Sequence, residues 1–382
     1  MKRVLLTGAT GLVGQYLVRD LLQAGTRLVV VIRPHGGESG RQRLARILAH
    51  WERELGQPLA RPVCLEGDLT QEGLGLNEEA RNWVAQNCGS VLHNAASLTF
   101  VGADRAGEPW LSNFTGTCNL VEFCKAVGLR DFHHVSTAYV CGQRAGLVRE
   151  QELDRGQEFR NDYEHSKCEA EKLVRSAPFL DRVTVYRPAI IVGDSRTGYT
   201  VSYHGLYTYL QFIWLFRQHL KLQPDGSMYE PMRINLTGDE PRNFVPVDWV
   251  SAVMARIFLN PELHGRTYHL APKHCVTARE IEDVVSDYLN YSGPTFAGPD
   301  ALKQGELNTL EKMFYAYVSR YQPYWAEEPR FDCTNTLAAV PDLPCPTIDR
   351  ECMHRLIDFA IRDNWGRTGS IGGDVLQEIV KS

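Results

Sequence analysis

The ten cysteines of this 382-residue chain include no C-x-x-C pair. That excludes the ligand spacing of a zinc finger or ribbon, and it offers no framework for a small disulfide-stapled domain. Buried free thiols in a reducing compartment are the expectation. A basic excess is missing as well: 41 Lys and Arg face 46 Asp and Glu, a formal charge of -5, with no basic run to offset it. Nucleic acid is therefore excluded as a bulk partner. Long apolar runs are absent too. The most apolar stretch, Gly205 to Phe216, falls short of the ~20 residues needed to span a bilayer. Met1 leads within two residues into an apolar strand and a glycine loop, which is no secretory leader. The expectation is a cytoplasmic protein without a membrane span. Internal repeats and low-complexity segments are also lacking, and 43% hydrophobic with 23% charged residues is a globular composition.

What is present is an alternation. Short apolar runs at Val4 to Leu6, Leu28 to Ile32, Pro62 to Leu65, Ser90 to His93 and Phe132 to Val135 are separated by amphipathic stretches such as Leu12 to Leu22 and Trp110 to Val127. Uninterrupted strands with helices between them predict an α/β chain, a doubly wound parallel sheet covered on both faces. After about residue 190 the rhythm weakens. Gly198 to Lys221 is aromatic-rich, and Pro224 to Asp239 reads as a loop. Phe244 to Val247 reads as a strand with Asp248 as the N-cap of the next helix, and the remainder from Thr277 reads as mostly helical. The predicted organisation is a nucleotide-binding domain over 1–190 with a return segment near 240–272. A smaller, mostly helical lid over 191–239 and 273–365 would complete it, with a flexible glycine-rich tail from Gly366 onward.

Gly8-Ala9-Thr10-Gly11-Leu12-Val13-Gly14 lies between the first strand and the first helix. One glycine permits the turn, one lets backbone N–H groups approach a pyrophosphate, and one lets helix and strand pack closely. The helix N-terminus then faces the phosphates with its partial positive charge. After the second strand, where an acidic residue would hold the 2′-hydroxyl of NAD, stands Arg33, with Arg41 and Arg43 eight and ten residues on. Guanidinium groups suit the 2′-phosphate of NADP.

Tyr163-Glu164-His165-Ser166-Lys167 puts a tyrosine and a lysine four residues apart on one face of a predicted helix, Asn161 to Arg175. A lysine cation beside a phenol favours the phenolate and lowers a pKa that is ordinarily near ~10. Ser136-Thr137 ends the fifth strand, and a hydroxyl at a strand's carboxyl end points into the crevice where open α/β sheets bind ligands. His133, His134 and His165 suggest no ligand geometry, so no metal is expected. Tyr315, Tyr317, Tyr321, Tyr324 and Trp325 could roof an acyl or aromatic pocket, but lid core packing is the more frequent explanation for such a stretch.

The glycine loop, Asn94-Ala95-Ala96, Val135-Ser136-Thr137-Ala138-Tyr139, Tyr163-x-x-x-Lys167 and Arg187-Pro188 together resemble the extended short-chain dehydrogenase/reductases over roughly residues 1–275. His93 to Phe100 and Ile191 to Gly198 are similar to the thioester-reductase branch, which comprises the reductase domains of carboxylic acid reductases and of peptide or polyketide synthetases, and the fatty-acyl reductases. The resemblance implies NADP(H) as cofactor. Thr137 and Tyr163 would hold the substrate carbonyl, Tyr163 would donate the proton, and Lys167 would tune it and bind the nicotinamide ribose. Gly8, Thr10, Gly11, Leu12, Val13 and Gly14 would line the pyrophosphate, with Arg33 and Arg43 on the 2′-phosphate. Asp68 and Leu69 would border the adenine, and Asn94, Ala95 and Ala96 would lie along the cofactor. Asn113 would support the site, while Pro188 and Ile190 would border the nicotinamide. The implied substrate is an acyl thioester, carried by CoA or by an acyl or peptidyl carrier protein and received in trans. A ketone or aldehyde reductase, a sugar-nucleotide epimerase or dehydratase, and a non-catalytic nucleotide sensor remain the alternatives.

Overall fold

The computed structural model describes residues 2–217, 220–325 and 328–367. The chain divides into two units, each built from three separated segments. One unit comprises Met1–Ala189, Val247–Ala271 and Arg330–Pro344, and the other Ile190–Pro246, Pro272–Pro329 and Cys345–Ser382.

The first unit is built on a parallel sheet. Strands β1 (Arg3–Thr7), β2 (Leu28–Ile32), β3 (Val63–Glu66), β4 (Cys88–His93) and β5 (Asp131–Val135) form first. The two-residue β6 (Leu147–Val148) lies outside the sheet, and β7 (Arg182–Pro188) and a final strand, Thr267–Leu270, complete it. Across the sheet the order is Thr267–Leu270, β7, β5, β4, β1, β2, β3. Every pairing is parallel. Leu28–Ile32 is buried along its whole length, as a β-branched run covered on both faces must be. Helices α1 (Leu12–Gln23), α2 (Gly40–Leu55), α3 (Glu78–Asn87), α4 (Gly116–Val127) and α5 (Asp162–Ser176) make the crossovers. Their ends are marked in the sequence. Ser39 and Gln42 close a capping box on α2, and Gly56 and Gly128 end α2 and α4 in the left-handed conformation.

The order reverses between β1 and β4. Strands added from β1 run one way and strands added from β4 the other. Right-handed crossovers therefore place α1 and α4 on opposite faces and open a crevice at the carboxyl ends of β1 and β4. In keeping with this, α1 packs on helix Val247–Phe258 while α4 packs on α3 and α5.

Several boundaries differ from those expected from the sequence. Arg330–Pro344, expected in the lid, belongs to the sheet unit. Arg330–Phe331 pairs with β6, and buried Glu150 accepts hydrogen bonds from the Asn335 amide at 2.7 Å and the His269 amide at 3.0 Å. That carboxylate gives the late segment a partner no local pattern announces. Phe244–Pro246, expected in the return segment, pairs with Ile190–Val192 inside the second unit. Asp248 is not an N-cap but lies in the first turn of Val247–Phe258.

The second unit has its own core, in which Tyr207, Phe212, Phe314 and Leu356 are buried. The helix Leu206–Phe216 supplies much of it, and Tyr315, Tyr317 and Trp325 pack against it from partly buried positions. Pro224 to Asp239 is not a loop. Met228–Ile234 is a strand paired in parallel with Tyr291–Phe296 and antiparallel with Lys221–Leu222. Among the described residues no helix is long and apolar enough to cross a membrane. The tail from 368 onward lies outside the described residues.

Candidate active site

The glycine loop opens α1 at the carboxyl end of β1, and its three glycines answer to three separate constraints. Gly8 has a φ of +70°, and a Cβ there would lie 2.5 Å from the Ala95 nitrogen. At Gly14 a Cβ would come within 1.9 Å of the Gly8 carbonyl oxygen, a hard collision with backbone. Gly11 is different: it is exposed, and its nearest neighbour to an added Cβ, the Gly8 oxygen, stands at 3.6 Å, so nothing within the chain requires glycine there. What would need the space is a group resting on the helix N-terminus, where the first-turn N–H groups lack intrahelical partners. The first turn of α1 carries no acidic side chain to compete with an anion. These features fit a dinucleotide pyrophosphate.

Asn94 and Ala95 follow β4 and are fastened to this loop. The Asn94 side chain donates to the Gly8 carbonyl at 3.1 Å, and the amides of Asn94 and Ala95 reach the Thr7 hydroxyl at 3.2 and 3.3 Å. Behind them runs a directional chain that the sequence did not reveal. Thr117 donates its proton to the Asn113 carbonyl at 2.6 Å, so it must accept from His93 Nε2 at 3.0 Å. His93 Nδ1 then carries the lone pair that accepts from Thr7 at 2.8 Å. Burial, reinforced by the Lys167 charge, drives the His93 imidazole down to about 3, so the ring stays neutral and the chain keeps one direction.

Arg33 follows β2 and is exposed, 3.7 Å from the Asp68 carboxylate. Arg43, in the first turn of α2, donates to the Arg33 carbonyl at 2.7 Å and to the Thr10 hydroxyl at 3.2 Å. The two arginines and the glycine loop are thus tied together. Arg46 is not part of this group, because its guanidinium is taken by both oxygens of Glu38. Asp68 accepts from the backbone and hydroxyl of Thr70, and the Leu69 carbonyl is held by Asn119. Ala96 is exposed.

Helix α5 presents Tyr163 and Lys167. Asn161 caps it by accepting from the Glu164 amide, and Asp162 fixes the incoming loop through the Gly102 amide and the Trp110 indole. Thr137, buried at the end of β5, donates to the Pro188 carbonyl at 3.4 Å, and its hydroxyl is near enough to the Tyr163 phenol to oppose the rise of its pKa. Lys167 is buried and donates to the Val135 carbonyl at 2.7 Å. Although Tyr163 as a whole is half-buried, the surroundings of its hydroxyl push the phenol up to about 12; burial dominates, the Thr137 hydrogen bond opposes it, and the Glu164 charge adds to it. This reverses the expected direction, because burial of the hydroxyl is the largest influence on it. Burial pulls Lys167 itself down to about 8 against the opposing pull of Glu171.

Asn113 sits in a single π-helical turn, Leu111–Thr115, that leads into α4. Such turns re-aim side chains and recur at functional sites. Its amide nitrogen donates to the Ser97 carbonyl and the Ser166 hydroxyl, both at 3.1 Å, and its oxygen accepts from the Ser97 amide at 2.7 Å. Ser166, which donates to the Tyr163 carbonyl at 2.9 Å, is a further residue missed in the sequence. Its place one turn from Tyr163, beside Lys167, was the available signal. Below the site, Arg187 and Glu171 form a buried bidentate pair at 2.7 and 3.0 Å. Burial alone would raise the Glu171 carboxyl, but Arg187 outweighs it and holds the group near about 2. Pro188 ends β7 in the first unit, whereas Ile190 opens a strand of the second.

The male sterility protein family matches residues 6–254 of this chain. Aldehyde reductase lnaA of Aspergillus flavus is 26% identical over 94% of the chain, which spans 36% of that protein. A linear gramicidin synthase of Brevibacillus parabrevis is 32% identical over 96% of the chain, which spans 7% of it. The chain thus covers about a third or less of the length of these relatives. Among solved structures, the terminal R domain from the myxalamid PKS-NRPS biosynthetic pathway aligns with a TM-score of 0.76 at 24% identity, covering 96% of this chain and 92% of that one.

Proposed function

Because this chain belongs to the male sterility protein family, within the thioester-reductase branch of the extended short-chain dehydrogenase/reductases, we propose that it is an NADPH-dependent reductase that converts an acyl thioester to an aldehyde. The observation that carries the reading is the Thr137–Tyr163 hydroxyl pair, set beside Lys167 at the carboxyl end of β5. Bound dihydronicotinamide would supply the hydride.

The chain's own residues do the rest. A phenol pushed up to about 12 remains protonated at neutral pH, which is the state a proton donor needs before reduction begins. As negative charge grows on the carbonyl oxygen, Thr137 and Tyr163 hydrogen-bond it, and each such donor contributes about 10²–10³ in rate. Tyr163 then passes its proton to that oxygen, giving a hemithioacetal. Collapse of the hemithioacetal breaks the C–S bond and yields aldehyde and free thiol. Lys167, protonated below about 8, stands next to the phenol as a cation that eases the return of a proton. Ser97, Asn113 and Ser166 hold this end of α5 in register with the β4 loop.

Arg33 and Arg43 support NADPH over NADH. The Arg33 guanidinium, exposed after β2, would meet the 2′-phosphate, and Arg43 braces the same backbone. The gramicidin synthase relative supports a substrate presented on a carrier protein, with the CoA thioester as a simpler equivalent. The aldehyde reductase relative favours a second reading, in which the aldehyde itself is the substrate.

Purified protein offered NADPH with acyl-CoA or acyl-pantetheine thioesters should oxidise NADPH and release one thiol per turnover, with NADH poor and Tyr163→Phe inactive. Turnover of free aldehydes alone would retain the reductase and remove the thioester assignment.

A further inference from the structure

At the amino-terminal end of β5, three side chains from two distant parts of the sheet unit converge: Asp131, His133 and His264. One ligand-capable atom from each lies within 4.8 Å of the others. His133 Nε2 is 3.7 Å from the Asp131 carboxylate and His264 Nδ1 is 3.5 Å from it, both too long for hydrogen bonds. His133 is fully buried, and His133 Nε2, His264 Nδ1 and Asp131 Oδ1 are all buried without a hydrogen-bond partner. Three orphaned polar atoms facing one another are costly unless something positive sits among them.

The other nitrogen of each imidazole shows which atoms are available. His264 Nε2 lies 3.0 Å from the carbonyl of Phe258, the last residue of its helix. A carbonyl only accepts, so the proton is on Nε2 and the Nδ1 lone pair points into the cluster. His133 Nδ1 lies 3.0 Å from the Tyr186 hydroxyl, which can accept and leave Nε2 with its lone pair. Orienting the far nitrogen through a fixed partner is how metal-binding histidines are held. Arg182 donates to Asp131 Oδ2 at 3.3 Å, the oxygen that His264 Nδ1 also faces, and Oδ1 is left toward His133.

We propose that Asp131, His133 and His264 form a zinc-binding site that pins the loop before strand Thr267–Leu270 to β5. Two imidazoles and a carboxylate suit a borderline divalent ion such as zinc far better than magnesium or calcium, with water completing a tetrahedron. The role is structural. Asp131 and Thr137 are six residues apart along extended chain, about 20 Å at ~3.3 Å per residue, so the ion is remote from the hydroxyl pair. No histidine in the sequence hinted at this, because His264 follows His133 by more than a hundred residues.

The test uses untagged full-length protein, stripped with chelator and titrated with zinc chloride against a chromophoric competitor, with cobalt as a spectroscopic substitute. About one zinc per chain is expected, together with a low-symmetry cobalt spectrum and a melting temperature that rises with zinc. His264→Gln, which keeps every cysteine, should abolish stoichiometric binding. Tyr186→Phe, nearly isosteric and confirmed folded by circular dichroism, should weaken it about 10–100-fold. Two results would overturn the proposal: folded wild-type protein that takes up no stoichiometric zinc, or equal binding by His264→Gln. A melting temperature that responds to pH but not to zinc would overturn it too, and would assign the cluster to a proton instead.

Discussion

The two ends of β5 both gather buried polar side chains and arrange them in opposite ways. At the carboxyl end Thr137 donates to the Pro188 carbonyl and Lys167 to that of Val135. The His93 ring nearby has both nitrogens engaged. At the amino end, the facing atoms of Asp131, His133 and His264 have no hydrogen-bond partner. In the first arrangement the polar groups already have partners within the chain. The second is organised only in outline, its outward atoms fixed and its inward atoms waiting for a cation. Satisfied hydrogen bonds fix a polar group in place, and convergent unsatisfied ones leave room for a cation.

Four changes would break or sharpen this contrast. The largest effect is expected from Tyr163→Phe, which removes the proton donor and should lower kcat by about 10²–10⁴ with melting unchanged. Equal turnover would dissolve the special standing of the carboxyl end. Next is Glu171→Gln, which strips Arg187 of its buried partner and should destabilise the chain by about 3–5 kcal/mol in denaturant titration. Above about pH 4.5 that carboxylate is charged in both the folded and unfolded chain, so its contribution is fully present there and fades as pH falls toward 2. Third, Arg33→Ala should raise the KM for NADPH on the order of tenfold, given ~1.5–3 kcal/mol per charged hydrogen bond and an exposed side chain, and leave NADH unaffected. The mildest is a pH profile. Lys167 loses its proton as pH rises through about 8, so kcat/KM for NADPH should decline on the alkaline side of that value. Lys167→Met should flatten the decline at a lower rate, and a profile level to pH 10 would remove the lysine from the mechanism.

The same contrast explains what could be read from the sequence. Gly8 to Gly14 and Tyr163 to Lys167 are short local segments, so their spacing, together with the strands that precede them, was enough to single them out as candidates. The long parallel strands were legible for the same reason: burial on both faces leaves an unbroken apolar run. Ser166 and the Thr7–His93–Thr117 chain were not legible, because a threonine or serine satisfied across the fold looks like any other polar residue. Asp131, His133 and His264 failed for a stronger reason, being brought together only by strand pairing and a distant loop. The strand Met228–Ile234 reads as a loop because Glu230, Pro231 and Arg233 break up its apolar residues, and its partner strand comes far later. The direction of the Tyr163 shift also escaped, since YxxxK spacing says nothing about burial.

Arg330–Pro344 completes the sheet unit with the anchor at Glu150, more than 170 residues upstream. Synthesis from the amino terminus therefore delivers a sheet in which buried Glu150 has the His269 amide but lacks its second capping amide until Asn335 has left the ribosome. Before that moment Glu150 faces a dry interior without one of its donors, and the nascent sheet is held below its final stability. A ribosome stalled at residue 329 should thus display a first unit that is compact yet open to protease near Glu150. Fifteen further residues, ending at Pro344, would close it. In this chain the order of folding is written by one glutamate and the distance to its partner.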